Sequence, residues 1–320
     1  MKTAIYTSYG KPDVIQIIES EKPIPKANEV LVKIKASAVT RADTLMRGGI
    51  PTFGRLFLGV FKPKNTGLGT GFSGIVEAIG TEVTQFKIND EIFGEVLFAN
   101  SANAEYVCVK ADSVIAKKPN NISHKEAAPI CDGFLTSYSF LKDIGKLKKG
   151  EHILINGASG SLGTAAVQLS KTLGAKVTGV CSTSNIDLVK SLGADFVIDY
   201  KKNDFTKTDD YYDFVFDTVG KSSYKKCKKV LTFNGVFMSP VLSGSILWHS
   251  IVSSNKVKFS ATGMRKQKDL KRLLNQVVNF FKQEEIHTVI DRIYKLEHIA
   301  EAHNYVESGR KTGNIIIINQ

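Results

Sequence analysis

The chain has 320 residues, 42% of them hydrophobic and 23% charged, the balance of a globular protein with material for sizeable cores and length enough for two domains. Its net charge of +12 does not point to nucleic acid: the lysines are spread out, clustering only briefly at Lys146–Lys149 and Lys225–Lys229, and no basic segment is interleaved with aromatics. No apolar run reaches the roughly 18 residues of a membrane span, so no membrane partner is expected, and the opening KTAIYT reads as a strand rather than a signal peptide.

Residues 1 to about 120 read as β-rich. Strand-like runs are Thr3–Tyr6, Val14–Ile18, Val30–Ala38, Gly74–Ile79, Glu91–Leu97, Ala104–Val109 and Val114–Lys117. Gly10, Pro12, Pro23, Pro25 and Asn89-Asp90 supply the turns between them. The segment Arg47 to Leu68 has no clean periodicity. It reads either as a short amphipathic helix on its own domain or as a substrate-side loop whose Phe53, Leu56, Phe57 and Phe61 line or cover an apolar pocket. From about 125 to 285 strands and helices alternate: Glu126–Leu141, Ile153–Asn156, Leu162–Leu173, Val177–Cys181, Ile186–Leu192, Phe196–Ile198, Phe214–Asp217, Val236–Ser239 and Asp269–Lys282. That alternation predicts a parallel sheet covered by helices on both faces. A short helix near Leu296–Glu307 and a strand Asn314–Ile318 close the chain.

The stretch from His152 to Gly174, HILINGASGSLGTAAVQLSKTLG, carries the first chemistry. An apolar strand stops at Asn156, glycines follow at 157, 160 and 163, and Leu162, Ala166 and Leu169 then mark one face of a helix. Glycines let the chain turn sharply and let a phosphate come close, and the free N–H groups at the helix start hold a pyrophosphate. A site for NAD places an acidic residue about 20 residues further on, at the end of the second strand. Here that strand, KVTGVC, ends in Ser182-Thr183-Ser184-Asn185, and the first acid is Asp187 in the next helix. Hydroxyls without a nearby carboxylate suit a 2′-phosphate, with Lys190 and Lys201 adding charge, so NADP is expected over NAD; the same residues also suit a helix cap. In a doubly wound sheet Asp217 to Gly220, at the end of the next strand, lies near the cofactor, which adds Asp217 and Val219 to the candidates.

The four cysteines form no C-x-x-C pair, so neither a disulfide framework nor a zinc lobe is expected and the setting reads as the reducing cytoplasm. The six histidines do not cluster; His152, His298 and His303 read as structural.

The motifs NGASGSLG, VTGVCSTSN, VKSLGAD and VIDY, with MKTAIYTSYGKPDVIQI, EVLVKIKASAVTRAD, GFSGIVEAIG and IAEAHNYVESGRKTGNIII in order around them, resemble the zinc-independent, quinone oxidoreductase-like branch of the medium-chain dehydrogenase/reductases. The resemblance covers nearly the whole chain. It implies an α/β fold: a β-rich GroES-like domain (1–122 and 286–320), with the tail folded back onto it, plus a doubly wound Rossmann domain (123–285) with a parallel sheet. It implies cofactor contacts at Thr136, at Gly157 and the turn Ser159, Gly160, Ser161, Leu162 and Gly163, at Ser182, Thr183 and Tyr200, and at Lys311, Gly313 and Asn314. The places of the catalytic zinc ligands in the zinc branch hold Thr40, Thr70-Gly71 and Asp132, none of them the thiolate or imidazole that zinc prefers. Asp132 departs from the small apolar residue more usual in this branch. Leu45 stands where several relatives carry a tyrosine.

The expected activity is hydride transfer from NADPH to enones, quinones or related carbonyl compounds without metal, since a delocalised enolate needs little electrophilic help. Thr40, Asp43 and Asp132 are the candidate polarising or proton-donating groups, with Arg47 and Tyr138 further off, and a capping role for Asp43 as its competing reading. The alternatives are a zinc-less alcohol or aldehyde dehydrogenase and a non-catalytic NADPH-binding sensor or RNA-binding protein. A homodimer is expected through an edge strand near Val236–Ser239 and the apolar run Val241–Ile251.

Overall fold

The computed structural model describes residues 1–96, 101–241, 246, 249, 253, 255–260 and 265–319. Its strands, in chain order, are β1 (Lys2–Tyr6), β2 (Ile15–Glu19), β3 (Glu29–Val39), β4 (Gly71–Ile79), β5 (Glu91–Glu95), β6 (Tyr106–Lys110), β7 (Ile115–Lys117), β8 (His152–Asn156), β9 (Lys176–Cys181), β10 (Phe196–Asp199), β11 (Tyr212–Asp217), β12 (Leu231–Ser239), β13 (Val257–Phe259), β14 (Ile290–Lys295) and β15 (Asn314–Ile318). The α-helices among the described residues include α1 (Arg41–Gly48), α2 (Arg55–Leu58), α3 (His124–Ala127), α4 (Thr136–Tyr138), α5 (Ser161–Thr172), α6 (Ile186–Ser191), α7 (Tyr224–Cys227), α8 (Gln267–Lys282) and α9 (Ile299–Glu307). The chain divides into two compact units. One holds Met1–Asp132, Leu274–Lys282 and His287–Gln320; the other holds Gly133–Leu273 and Gln283–Ile286.

The first unit is built on a sheet in the order β14-β15-β3-β4-β5-β7, with β6 also on β3. On β3, Val30, Val32 and Ile34 repeat with period two and share one face. They meet Phe72, Val76, Ile92, Val107 and Val109 in one buried cluster. The tail does return here: β15 pairs antiparallel with β3, Ile315 opposite Val39 and Ile318 opposite Ala36. Ile315 and Ile317 then pack with Ala4, Tyr6 and the α9 face Ile299, Ala302 and Val306, which are spaced three and four apart. Each fully buried side chain of this kind contributes about 1.5–3 kcal/mol.

Among the described residues the second unit carries six strands in the order β10-β9-β8-β11-β12-β13, every neighbouring pair parallel. Central runs such as Ile153-Leu154-Ile155 and Val215-Phe216 are apolar on consecutive positions because both faces of such a sheet are buried. The chain works outward through β8, β9 and β10, then starts again from β11 on the other side of β8. The point where strand order reverses therefore lies between the ends of β8 and β11, the place where doubly wound sheets bind ligands.

Two expectations fail here. Glu126–Leu141 is not one helix: α3 stops at Ala127, wide π-type turns occupy Cys131–Leu135 and Ser139–Ile144, and only Thr136–Tyr138 between them is α-helical. Val236–Ser239 is not an edge, since β13 hydrogen-bonds along β12 from Phe237 to Ser239. Most of Val241–Ile251, and Leu97 with it, lies outside the described residues.

Candidate functional site

In the second unit, β8 and β11 are tied at their ends, where Asn156 Nδ2 donates to Asp217 Oδ1 at 2.9 Å. The glycine turn follows. Gly157 has φ +81°, and a Cβ there would stand 2.7 Å from Thr218 Oγ1. A Cβ at Gly163 would sit 2.0 Å from the Gly157 carbonyl oxygen, so the helix start and the turn approach as closely as hydrogen allows. Gly160 differs: the nearest atom to a Cβ there is 3.5 Å away, which leaves its outer side open. Gly160 is the residue immediately before α5, and no side chain caps that helix end. Ser159 Oγ accepts from Asn185 Nδ2 at 2.9 Å, and Leu162 O accepts from Ser137 Oγ at 2.9 Å, which fixes both flanks of the turn. Ser161 is buried, as is Thr136. An uncapped N-terminus of a three-turn helix behind an open glycine can hold an anionic oxygen.

The loop after β9 does not match expectation in one respect. Its residues do have a carboxylate beside them. Asp199, at the end of β10 and in register with Cys181, accepts the Thr183 hydroxyl at 2.6 Å and the Lys201 backbone N–H at 3.0 Å. The Thr183 hydrogen bond leads in holding the Asp199 carboxyl below its ordinary range. The Thr183 hydroxyl proton is therefore taken, and the expectation that no carboxylate lies near these hydroxyls is corrected; sequence reasoning missed this contact because Asp199 is distant in sequence. Ser182 Oγ lies 3.1 Å from Ser184 Oγ, and Lys190, Tyr200, Lys201 and Lys202 are exposed.

Asp217, an expected cofactor contact, has its carboxylate occupied within the protein. It is wholly buried, and its carboxylate accepts from Asn156, from the N–H groups of Val219 (3.3 Å) and Gly220 (3.1 Å), and from Ser222 N (2.8 Å). It shapes the turn that leaves Val219 exposed.

The first unit holds a buried acidic group. Thr40 caps α1 in a reciprocal box: Asp43 N donates to Thr40 Oγ1 at 3.1 Å, and Asp43 Oδ2 accepts from Thr40 N at 2.7 Å and Thr40 Oγ1 at 2.8 Å. The competing capping reading of Asp43 thus describes its geometry. Its other oxygen, Oδ1, is buried without a hydrogen bond. Burial pushes the Asp43 carboxyl up to about 7, against the Thr40 hydrogen bonds and with help from Asp132. Glu95, on β5 opposite Gly71, has Oε1 buried without a hydrogen bond and is pushed up to about 7 by burial and then by Asp132. Lys311 Nζ donates to Gly313 O at 2.7 Å; burial lowers its pKa while Asp132 and Asp291 oppose that. Half-buried Asp132 thus acts on Asp43, Glu95 and Lys311 alike. Asn314 is spent on its own turn, its Nδ2 donating to Val289 O at 2.9 Å. Sequence reasoning missed Glu95, whose only signal was a charge within the otherwise apolar run Ile92 to Val96.

At the zinc-ligand places, Thr40 is engaged in its cap, and a Cβ on Gly71 would meet the Ala128 carbonyl oxygen at 2.7 Å. Neighbouring Cys131 is buried, and burial holds its thiol well above the ordinary value. Arg47 is buried and bonded to Gly10 O at 2.8 Å and to Glu307, so it is structural. His303 is buried, and burial lowers it to about 3, which keeps it neutral. Phe53, Leu56, Phe57 and Phe61 are each more than half exposed.

Comparison with known proteins fits this arrangement. Residues 26–120 match the alcohol dehydrogenase GroES-like domain, and residues 192–317 match a zinc-binding dehydrogenase domain. The chain is 31% identical, over 99% of its length and 79% of the relative's, to a 2-methylene-furan-3-one reductase of Solanum lycopersicum. It is 28% identical, over 99% of its length and 79% of the relative's, to a chloroplastic NADPH-dependent alkenal/one oxidoreductase of Arabidopsis thaliana. The structure of a quinone oxidoreductase from Coxiella burnetii superposes with a TM-score of 0.88 at 25% identity, covering 100% of this chain and 99% of that one. The fold and site define an α/β dinucleotide-dependent oxidoreductase. The chain belongs to the quinone oxidoreductase-like medium-chain dehydrogenase/reductases.

Proposed function

We propose that this protein transfers hydride from NADPH to enones, quinones or related carbonyl compounds, without zinc. The observation that carries the reading is the open, uncapped helix start at Gly160, framed by two positions, 157 and 163, where no larger residue fits. When bound, NADPH supplies the hydride. Gly157, Ser159, Gly160, Ser161, Leu162 and Gly163 would bind its pyrophosphate through backbone N–H groups. Ser182, with Tyr200, Lys190 and Lys201, would take the 2′-phosphate, and Thr136, Val219, Lys311, Gly313 and Asn314 complete the proposed contacts.

A reduced enone leaves an enolate that must gain a proton. Asp43 is the proposed donor: Thr40 occupies Oδ2, so the proton is held on Oδ1, and a carboxyl near 7 is protonated in about half of the molecules at neutral pH. Burial sets that proton's affinity, and the charge of Asp132 adds to it. The usual zinc places offer at most one ligand, the Asp132 carboxylate, beside a threonine hydroxyl engaged in its cap and a glycine without room for a side chain, too few for a zinc site. The relatives' named enone and alkenal substrates support the carbonyl class. We assign the nucleotide domain to 123–285 and the GroES-like domain to 1–122 and 286–320, with the reducing cytoplasm as the setting. A homodimer, if formed through this sheet, would use β13 at its edge. The experiment is NADPH consumption against a panel of quinones and enones; tight NADPH binding with no turnover across the panel would favour the non-catalytic reading.

A further inference from the structure

Six of the fifteen large apolar side chains exposed among the described residues fall within one stretch of twelve: Ile50, Phe53, Leu56, Phe57, Val60 and Phe61. Phe57 is 82% exposed and Phe61 95%. Scattered exposed hydrophobics need no explanation, but a contiguous group does.

The backbone beneath them is held in place. Tyr9 OH donates to Gly59 O at 2.7 Å, and the Arg55 guanidinium stacks over the Tyr9 ring at 4.6 Å while its Nε donates to Gly49 O at 3.1 Å. Lys64 N donates to Leu58 O at 2.7 Å, and Pro63 is buried between exposed Lys62 and Lys64. The loop thus spends its polar groups on its own fold and presents its apolar side chains outward, with two lysines beside them.

The charge along this segment is one-sided. No Asp or Glu occurs from Thr44 to Val76; Glu307 is paired with the segment's Arg47, and exposed Asp13 acts on Arg47 only through its charge. A two-fold contact between copies would bring the same patch to itself and set Lys62 and Lys64 against their own copies without a compensating acid. An anionic apolar surface answers both features. We infer that residues 50–64 dock on an anionic phospholipid surface, with Phe57, Phe61 and Leu56 entering the headgroup boundary and Lys62 and Lys64 facing lipid phosphates or carboxylates. Apolar insertion plus basic residues is the pair of signals that reversible surface binding requires. The earlier expectation of no membrane partner rested on the lack of a spanning run, which does not bear on side chains lying in an interface.

The test is co-sedimentation of the full chain with vesicles of phosphatidylcholine alone and of phosphatidylcholine with phosphatidylserine. The expected result is at least about tenfold stronger partition onto the phosphatidylserine vesicles, weakened by salt. Phe57→Ser with Phe61→Ser should lower partition about tenfold or more on both vesicles, and Lys62→Glu with Lys64→Glu should abolish the preference for the anionic ones. These side chains are exposed, so all variants should melt at the wild-type temperature, which separates lost binding from lost folding. Wild-type protein that stays in the supernatant with both vesicles, or variants that bind as the wild type does, would overturn the inference. So would a dimer in vesicle-free sedimentation that Phe57→Ser with Phe61→Ser dissociates, because a second copy would then be the occupant.

Discussion

The Thr183 hydroxyl donates to Asp199 Oδ2 at 2.6 Å, fastening the loop after β9 to the end of β10. This bond places a negative charge beside the proposed 2′-phosphate site, where Ser182 and the exposed lysines must offset it. Asp199→Asn should therefore raise affinity for NADPH relative to NADH. Ser182→Asp should reverse the preference, because it removes a donor worth about 1.5–3 kcal/mol to a charged group and adds repulsion, a change of roughly tenfold to a hundredfold. Paired titrations of NADPH and NADH on the three proteins check both directions. An unchanged ratio in both variants would mean that the phosphate binds elsewhere.

Gly160 and Gly163 should separate binding from folding. A Cβ at 163 meets the Gly157 carbonyl oxygen at 2.0 Å, so Gly163→Ala should destabilise the protein by about 1–3 kcal/mol. At 160 the space is open, so Gly160→Ala should leave the melting temperature close to that of the wild type and weaken NADPH binding by crowding the phosphate. Thermal melts without cofactor, together with binding titrations, read the two effects independently.

Glu95 predicts a pH dependence. Its folded carboxyl sits near 7 and its ordinary value is 4.5. Below about 4 both folded and unfolded chains hold the proton, so Glu95 has no effect on stability. Between about 4.5 and 7 the unfolded chain releases its proton while the folded chain keeps it, so stability falls as pH rises, and above 7 the loss is complete. Asp43, raised to about 7 from 3.8, acts in the same sense. Glu95→Gln should thus melt like the wild type at pH 4 and be more stable at pH 8, by an amount on the order of 1–3 kcal/mol. Equal melting of the two proteins at pH 8 would show that Glu95 ionises freely in the fold.

The parts legible in the sequence were those with local causes. The turn from β8 to α5 follows from glycine spacing, and β15 spans Asn314–Ile318 as expected because four consecutive isoleucines can hardly avoid a buried strand. What escaped depends on pairing between distant segments. Asp199 reaches Thr183 only because β9 and β10 run parallel with Cys181 opposite Asp199, a register no local pattern contains. Glu95 meets the influence of Asp132 only once β5 has paired with β4 and the Cys131–Leu135 turn has formed. That turn itself was read as plain helix, since the apolar spacing of Glu126–Leu141 does not distinguish α-helical from wider π-type turns.

The zinc proposal has a direct check. Elemental analysis of the purified protein should find no stoichiometric zinc, and a chelator should leave turnover unchanged. Stoichiometric zinc, with activity lost on chelation, would require ligands other than Thr40, Gly71 and Asp132.

The central proposal is NADPH-dependent reduction of a carbonyl-conjugated substrate, and the most direct measurement is steady-state oxidation of NADPH and of NADH by the wild-type protein across enones and quinones. The proposal predicts saturable turnover of at least one of these substrates, with a higher kcat/KM for NADPH than for NADH. Asp43→Asn should lower kcat with a smaller effect on NADPH affinity. Binding of NADPH without turnover of any enone or quinone, or equal use of both cofactors with an unaffected Asp43→Asn variant, would contradict it.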